Sequence, residues 1–417
     1  MKVINIIVRG KNDMKIESVR GGLCAVKGVK AYGLKERNKG LALIEGKGTA
    51  VGMYTSNKLK AAPVMFTKQQ LENSGGRLSA IIANSGCANS FTGDEGMKNA
   101  EKMAELVAVS LGVKKEEVAV ASTGHIGKQL DMELIERQLD IVVKELTAEE
   151  EGNTAAAKAI MTTDTFPKEY AVRISTSDKP KSDTTVAIGG IAKGSGMIFP
   201  HLSTATMLCF IYTDADLTEE ALRRSLEDAV DSSFNMVVVD GDMSTNDLVL
   251  LVSTGKGGEL SEDNFKAGLN AVCTELAKQM AKDGEGATKY IEVRVKGAAS
   301  VADARELSRA IARSPLVKAA IFGERMDLTC GRIIAAVGSC TTVGDSDPTG
   351  ISITIKSDTG NEALAVYKGA FMPLSGVARD ILQGKEISIE VDLGAGEVEA
   401  TAWGCDLTYD YVKLNVA

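Results

Sequence analysis

The segment from residue 189 to residue 214 contains the side chains that are best suited to carry out a reaction. A glycine-rich polar stretch around Lys193 leads to Ser203-Thr-Ala-Thr and then directly into an apolar run that predicts a buried strand. A threonine after a small residue at the start of a core strand is typical of an N-terminal nucleophile. In that chemistry the threonine hydroxyl attacks the carbonyl of the residue before it, the acyl group moves from nitrogen to oxygen, and hydrolysis cuts the chain. The freed α-amine has a pKa of roughly 7.7–8.0, so it can act as the base without a histidine.

Three other polar segments could surround such a nucleophile. Ala121-Ser-Thr-Gly-His follows a predicted strand, and its small residues can present backbone N–H groups to an oxyanion. Asn84-Ser-Gly-Cys also follows a predicted strand and can hydrogen-bond a substrate. Glu285 stands between two glycines after a long predicted helix, where its carboxylate can meet an amine. Each of these segments, like the glycine-rich one, is by itself also compatible with an ordinary turn or loop.

The sequence gives no support for a nucleotide or a resident metal. The glycines near Lys193 match neither GxxxxGK[ST] nor GxGxxG. The acidic run 240–247 lacks the spacing and closing glutamate of a calcium loop, which favours a hydrogen-bonding turn. The chain has only two histidines, His125 and His201, too few for a histidine-rich metal centre. We therefore expect neither a bound nucleotide nor a resident metal.

Composition bounds the partners and the class of protein. A length of 417 residues suggests two or three domains. Lys and Arg total 48 against 56 Asp and Glu, a net charge of −8, and no basic run interrupts this acidic balance. We therefore expect neither nucleic acid nor a membrane as a partner. Seven cysteines without a CxxC motif, and no apolar run of membrane-spanning length, predict a cytoplasmic protein with free thiols.

Short apolar runs alternate with amphipathic ones, which predicts an α/β protein with mixed sheets. Thr218 and Ser261 stand at expected helix N-caps, and the polar stretch Ser175–Thr185 is the expected domain boundary. The predicted strands are Leu41–Ile44, Leu78–Ala83, Val118–Ala121, Met207–Tyr212, Met236–Val239, Tyr290–Val295, Ile333–Val337, Ile351–Ile355 and Ile387–Val391. The predicted helices are Gly96–Leu111, Met132–Leu146, Glu219–Ala229, Glu262–Ala281, Val301–Arg313 and Gly376–Leu382.

Taken in order, nine short motifs resemble those of the ornithine acetyltransferases of arginine biosynthesis, a family of glutamate N-acetyltransferases that are often bifunctional. The resemblance runs from about Val19 to Asn415. The motifs are Ala61-Ala-Pro-Val, Asn84-Ser-Gly-x-Ala-Asn, Ser122-Thr-Gly-x-Ile-Gly, Ile160-Met-Thr-Thr-Asp-Thr, Gly189-Gly-Ile-Ala-Lys-Gly-Ser-Gly-Met-Ile, Ala205-Thr-Met-Leu, Asp240-Gly-Asp-x-Ser-Thr-Asn-Asp, Asp283-Gly-Glu-Gly-Ala-Thr-Lys and Ser314-Pro-Leu-Val-Lys.

The resemblance implies a fold and a set of roles. The fold would be the α/β ornithine acetyltransferase type, shared with N-terminal-nucleophile aminopeptidases, in which mixed sheets are layered with helices. The chain would cut itself between Ala205 and Thr206 into an α chain, residues 1–205, and a β chain, residues 206–417. Thr206 would be the nucleophile, with Thr123 and Gly124 as the oxyanion hole. The implied substrate-binding residues are Lys193, Thr206, Glu285, Asn415 and one of the two neighbouring threonines, Thr162 or Thr163.

The implied reaction moves the acetyl group of N2-acetylornithine to glutamate through an acetyl-threonine, in ping-pong order. Lys193 would meet the α-carboxylate and Glu285 the side-chain ammonium of the donor. One amide is exchanged for another, so the reaction needs no cofactor. The family also implies an α2β2 heterotetramer. Whether acetyl-CoA serves as a second donor is left open.

Two of the departures from the family pattern keep alternatives open. The step before the cut is two residues longer than usual, so Thr204 is a rival to Thr206. The sequence ends at Ala417, before the position of a further substrate-binding Thr or Ser in relatives. One alternative is an aminopeptidase-like hydrolase that releases its acyl group to water. Another is a non-catalytic, unprocessed homologue.

Overall fold

The computed structural model describes residues 14–176, 184–199, 207–340, 350–373 and 380–416. The chain divides into two compact units. Unit 1 comprises Met1–Asn235 and Met243–Leu276, and unit 2 comprises Met236–Asp242 and Ala277–Ala417. Within the described ranges, no helix is long and apolar enough to cross a membrane.

Unit 1 is built on one large sheet. Its strands are β1 Lys15–Val19, β2 Lys30–Glu36, β3 Lys39–Tyr54, β4 Arg77–Cys87, β5 Val118–His125, β6 Lys168–Thr176, β7 Thr184–Lys193 and β8 Leu208–Asp216, together with β10 Leu248–Glu259. Its helices are α1 Ala62–Asn73, α2 Gly93–Leu111, α3 Met132–Val142, α4 Glu150–Ile160 and α5 Glu219–Ser232, followed by most of α6 Glu262–Lys282.

The strand order is β1-β6-β7-β8-β10-β3-β4-β5, and β2 pairs with β3 outside this path. The pairs β8–β10 and β4–β5 are parallel, and the other pairs are antiparallel. Side chains alternate along a strand, so β4 places Ile81 and Ala83 in one core and Ala80 and Ile82 in another. Apolar residues of α4 fill the first core, and those of α2 and α3 fill the second. The predicted layering of helices on a mixed sheet is confirmed.

Unit 2 has a smaller sheet. Its strands are β9 Val237–Val238, β11 Tyr290–Ala298, β12 Ser352–Ser357, β13 Glu362–Tyr367, β14 Ala370–Phe371, β15 Glu386–Asp392 and β16 Val398–Cys405, in the order β14-β13-β12-β15-β11-β16-β9. The pairs β11–β15 and β16–β9 are parallel. Its helices are α7 Val301–Arg313, α8 Pro315–Phe322, α9 Met326–Gly338 and α10 Tyr409–Val416.

Two predicted elements are wrong. Ile333–Val337 lies inside α9, where Met326, Cys330 and Ile333 are buried at helical spacing. The expected boundary Ser175–Thr185 is also wrong, because β6 and β7 on either side of it pair with each other within unit 1. The predicted helix Gly376–Leu382 lies partly outside the described residues.

The remaining predicted strands and helices overlap observed ones, and both predicted caps form. Thr218 Oγ1 accepts from the Ala221 amide at 3.2 Å, and Ser261 Oγ accepts from the Asn264 amide at 3.4 Å.

Candidate active site

Two polar segments that the sequence places far apart lie side by side at one edge of the unit 1 sheet. Because β4 and β5 are parallel, their carboxyl ends meet there, with Ser85 opposite Thr123 and Gly86 opposite Gly124. Asn246 holds the two ends together, since its Nδ2 donates to Ala88 O at 2.5 Å and to Ser122 O at 2.9 Å.

The predicted oxyanion pair occupies the last residues of β5. Thr123 is buried, and Gly124 is exposed with a φ of 129°. A Cβ at Gly124 would lie 2.6 Å from the Cys87 nitrogen and would also overlap the Gly86 carbonyl carbon. Residue 124 must therefore be glycine for the two strand ends to approach each other this closely.

Lys193 reaches this pair from the end of β7. Its Nζ donates to Thr123 Oγ1 at 3.3 Å, although the side chain is only 3% exposed. An ammonium group has donors only, so the Thr123 oxygen acts as acceptor in this contact. The hydroxyl hydrogen is then directed away from Lys193 and can be donated to an oxyanion.

A buried ion pair adjoins Lys193. Asp164 follows α4, and Lys168 begins β6. Both side chains are fully buried, and Lys168 Nζ donates to Asp164 Oδ1 at 2.7 Å. Burial alone would raise the pKa of the Asp164 carboxyl. The Lys193 and Lys168 ammoniums and the Thr162 amide outweigh burial, so the pKa lies below its ordinary value and the carboxyl stays ionised.

The expected substrate-binding threonines flank this aspartate. The Thr162 amide donates to Asp164 Oδ2 at 3.0 Å, and the neighbouring Thr163 is exposed. Lys35 approaches from β2, and its Nζ donates to Met161 O at 2.5 Å. Burial lowers the pKa of Lys35, and the charge of Asp164 partly offsets this effect.

Asp247 is the other carboxyl near Lys193. It is completely buried, and neither of its carboxyl oxygens makes a well-formed hydrogen bond. Burial raises the pKa of Asp247 well above its ordinary value, and the nearby Met207 amide and Lys193 ammonium offset only part of that rise. Lys193 is thus close to one ionised carboxyl and to one that favours its neutral form.

The expected cleavage site lies outside the described residues. These begin again at Met207, whose carbonyl accepts from the Leu248 amide at 3.0 Å, and β8 starts at Leu208 opposite Lys193. Ala205, Thr206 and the rival Thr204 therefore stay predictions.

In unit 2 the structure brings Glu285 and Asn415 together. Asn415 Nδ2 donates to Glu285 Oε2 at 2.8 Å and to Tyr411 O at 3.0 Å. Thr408 fixes the start of α10, because its Oγ1 donates to Gly286 O at 2.7 Å and accepts from the Tyr411 amide at 3.2 Å. The Glu285 loop and the C-terminal helix thereby form one hydrogen-bonded group.

The structure thus groups Thr123, Gly124, Lys193 and Thr162 in unit 1, and Glu285 with Asn415 in unit 2. Sequence reasoning missed Asp164, Lys168 and Lys35, and it treated Asp247 only as part of a turn. The spacing of Asp164 and Lys168 was the one available signal for the buried pair. Among the described residues, no group of three or more His, Cys, Asp or Glu side chains could hold a metal ion.

Comparison with known proteins gives a consistent family. The model of the ArgJ family matches residues 26–417. The glutamate N-acetyltransferase of Methanosarcina mazei is 49% identical over 406 residues, which are 96% of this chain and 99% of that protein. The arginine biosynthesis bifunctional protein ArgJ of Symbiobacterium thermophilum is 45% identical over 407 residues, 95% of each chain. An ornithine acetyltransferase from Mycobacterium tuberculosis, solved in complex with ornithine, is 37% identical and covers 45% of this chain and 100% of its own, with a TM-score of 0.40. The chain belongs to the ArgJ family.

Proposed function

We propose that this protein is a self-processing acetyltransferase that moves the acetyl group of N2-acetylornithine to glutamate and so regenerates ornithine in arginine biosynthesis. The observation that carries the proposal is the buried Lys193 ammonium, which donates to the Thr123 hydroxyl beside Gly124. This contact combines a cation for a carboxylate with a donor for an oxyanion in one place. Family membership over nearly the whole chain supports the same activity.

The substrate-binding roles follow from charge. Lys193 binds the α-carboxylate that donor and acceptor share, assisted by Thr162 and Thr163. Glu285, held by Asn415 at 2.8 Å, binds the side-chain ammonium of the donor. Support for these roles comes from the burial of Lys193 and from the fixed position of the Glu285 carboxylate.

In the first half-reaction the Thr206 hydroxyl attacks the acetyl carbonyl while its α-amine takes the hydroxyl proton. Thr123 Oγ1–H and the Gly124 N–H donate to the oxyanion of the tetrahedral intermediate. The C–N bond then breaks, the ammonium returns a proton to the leaving nitrogen, and ornithine departs. Acetyl-threonine remains.

In the second half-reaction the glutamate amine attacks the carbonyl of this ester, and the same oxyanion hole stabilises the tetrahedral intermediate. The Thr206 oxygen leaves and regains its proton from the α-amine that has accepted one from glutamate. The products are N-acetylglutamate and free enzyme. An amide is exchanged for an amide of similar energy, so no cofactor has to supply a driving force.

Cleavage between Ala205 and Thr206 would give an α chain of residues 1–205 and a β chain of residues 206–417. This boundary lies between β7 and β8, which pair antiparallel in the unit 1 sheet. Both chains therefore contribute to one sheet, which supports their remaining associated after the cut. We further propose an α2β2 heterotetramer that works in the cytosol, where its seven free cysteines would stay reduced.

The test is acetyl transfer by purified, processed protein given N2-acetylornithine and isotopically labelled glutamate, with both products quantified by mass spectrometry. Labelled N-acetylglutamate formed in step with ornithine supports the proposal. Ornithine and acetate without acetylglutamate would instead support the hydrolase alternative. T206V should lose transfer and T204V should keep it, which also separates the two candidate nucleophiles.

A further inference from the structure

The Asp164 side chain contacts three segments of the unit 1 site. Its Oδ1 accepts from Lys168 Nζ at 2.7 Å and from the Gly194 amide at 2.8 Å. Its Oδ2 accepts from the Thr162 amide at 3.0 Å and lies 4.0 Å from Lys193 Nζ.

We propose that Asp164 is the positioning residue of this site, which holds Lys193 and the Thr162 peptide in place for the substrate α-carboxylate. The inference rests on the proposed function and assigns a role to a residue outside the expected site set. Asp164 acts through Lys193, whose Nζ in turn orients the Thr123 hydroxyl at 3.3 Å. The Asp164 carboxylate thereby links the binding of the substrate α-carboxylate to the geometry of the oxyanion hole.

Burial explains why the Asp164 carboxylate can hold the segments that donate to it in fixed positions. The Asp164 and Lys168 side chains are both 0% exposed, and a buried charge is tolerated only when it is paired and its lone pairs are satisfied. The carboxylate is therefore confined to one geometry by its donors. Those donors lie after α4, at the start of β6 and just after β7, so the same geometry fixes three segments relative to each other.

The charges around Asp164 identify the class of ligand. Lys35, Lys168 and Lys193 all lie close to the ionised Asp164 carboxylate. A group of ammonium donors suits an added carboxylate, the group that N-acetylornithine and glutamate have in common.

The test compares D164N with the matched control D214N in processed enzyme. Asp214 is also buried in unit 1, at 1% exposure, and accepts from the Ala187 amide at 2.7 Å, but no contact joins it to the Lys193 and Asp164 cluster in the described residues. The asparagine of D164N has no charge, and its NH2 group cannot accept from the amides that Asp164 now serves. We expect KM for both substrates to rise at least about tenfold, the effect of losing one charge-assisted hydrogen bond, and kcat to fall.

A second readout separates positioning from general loss of structure. The wild-type enzyme should strongly prefer N2-acetylornithine to its α-carboxamide analogue, and D164N should lose most of that preference. A merely structural defect, as D214N could cause, would lower kcat/KM for both compounds equally. If the loss of the Asp164–Lys168 ion pair prevents D164N from folding, the double variant D164N/K168M removes both charges and is measured in its place.

The outcomes distinguish the inference from the function on which it rests. Failure of the wild-type protein to transfer acetyl would overturn the proposed function. Transfer by the wild type, with a folded Asp164 variant that keeps its KM values and its preference for the carboxylate within about twofold, would overturn only the role of Asp164.

Discussion

Replacing Gly124 with alanine should disrupt the oxyanion hole without removing any polar side chain from the site. At φ 129° an alanine carries a backbone strain of about 1–3 kcal/mol. Its Cβ would also lie 2.6 Å from the Cys87 nitrogen, which is too short for a non-bonded contact. The ends of β4 and β5 must therefore separate. The amide of residue 124 and the adjacent Thr123 hydroxyl would then be misplaced. Loss of one oxyanion donor typically lowers kcat about 10²- to 10³-fold.

Gly127→Ala is the matched control. Gly127 also has a positive φ, 80°, but a Cβ there would meet nothing within 4 Å. Both variants should therefore show a lower melting temperature, by about 2–4 °C per kcal/mol of strain for a domain of 150–250 residues. Only G124A should lose transfer, measured as initial rates at saturating N2-acetylornithine and glutamate. Equal activity of G124A and wild type would refute the assignment of Gly124 to the oxyanion hole.

Three further predictions follow from the charged groups of the site. The pKa of the Asp247 carboxyl is higher in the folded state than the unfolded-state value of about 3.9. The stability that this carboxyl contributes is therefore fully present below about pH 3.9 and is lost as the pH rises toward the folded-state pKa. D247N should therefore give a melting temperature that falls less with rising pH than that of wild type; parallel curves would contradict this. Lys193→Met should raise KM for both substrates and lower kcat, because the cation that binds the substrate carboxylate and the group that orients the Thr123 hydroxyl are lost together. Steady-state rates over a range of substrate concentrations check this, and an unchanged kcat would count against the contact with Thr123. Glu285→Gln should raise KM for N2-acetylornithine about tenfold or more and affect glutamate less, because only the donor carries a side-chain ammonium; equal effects on both substrates would remove that role from Glu285.

The candidate residues that the sequence singles out most readily occur in compact motifs at strand ends. Thr123-Gly124 and Asn84-Ser-Gly follow apolar runs that are visible without a structure, and parallel pairing of β4 and β5 explains why they meet. Asp164 could not be found in this way. Its role depends on Lys168 and Lys193, which reach it from different strands, and on burial, which no local pattern reveals.

The errors in the fold have a similar origin. Ile333–Val337 resembles a strand when five residues are considered, but burial from Met326 to Val337 follows the helical period over three turns. The polar stretch 175–185 resembles a linker, yet the strands on either side pair over nine residues from Lys168 to Thr176. A composition change marks a domain boundary only where no long-range pairing crosses it.

The central claim is self-processing at Thr206, and intact-mass spectrometry of the purified protein with N-terminal sequencing of any fragments tests it most directly. The account predicts two chains, residues 1–205 and 206–417, the second beginning Thr-Met-Leu-Cys. A second chain beginning Thr-Ala-Thr would transfer the nucleophile to Thr204. A single uncut mass of 43.9 kDa would contradict self-activation for this chain.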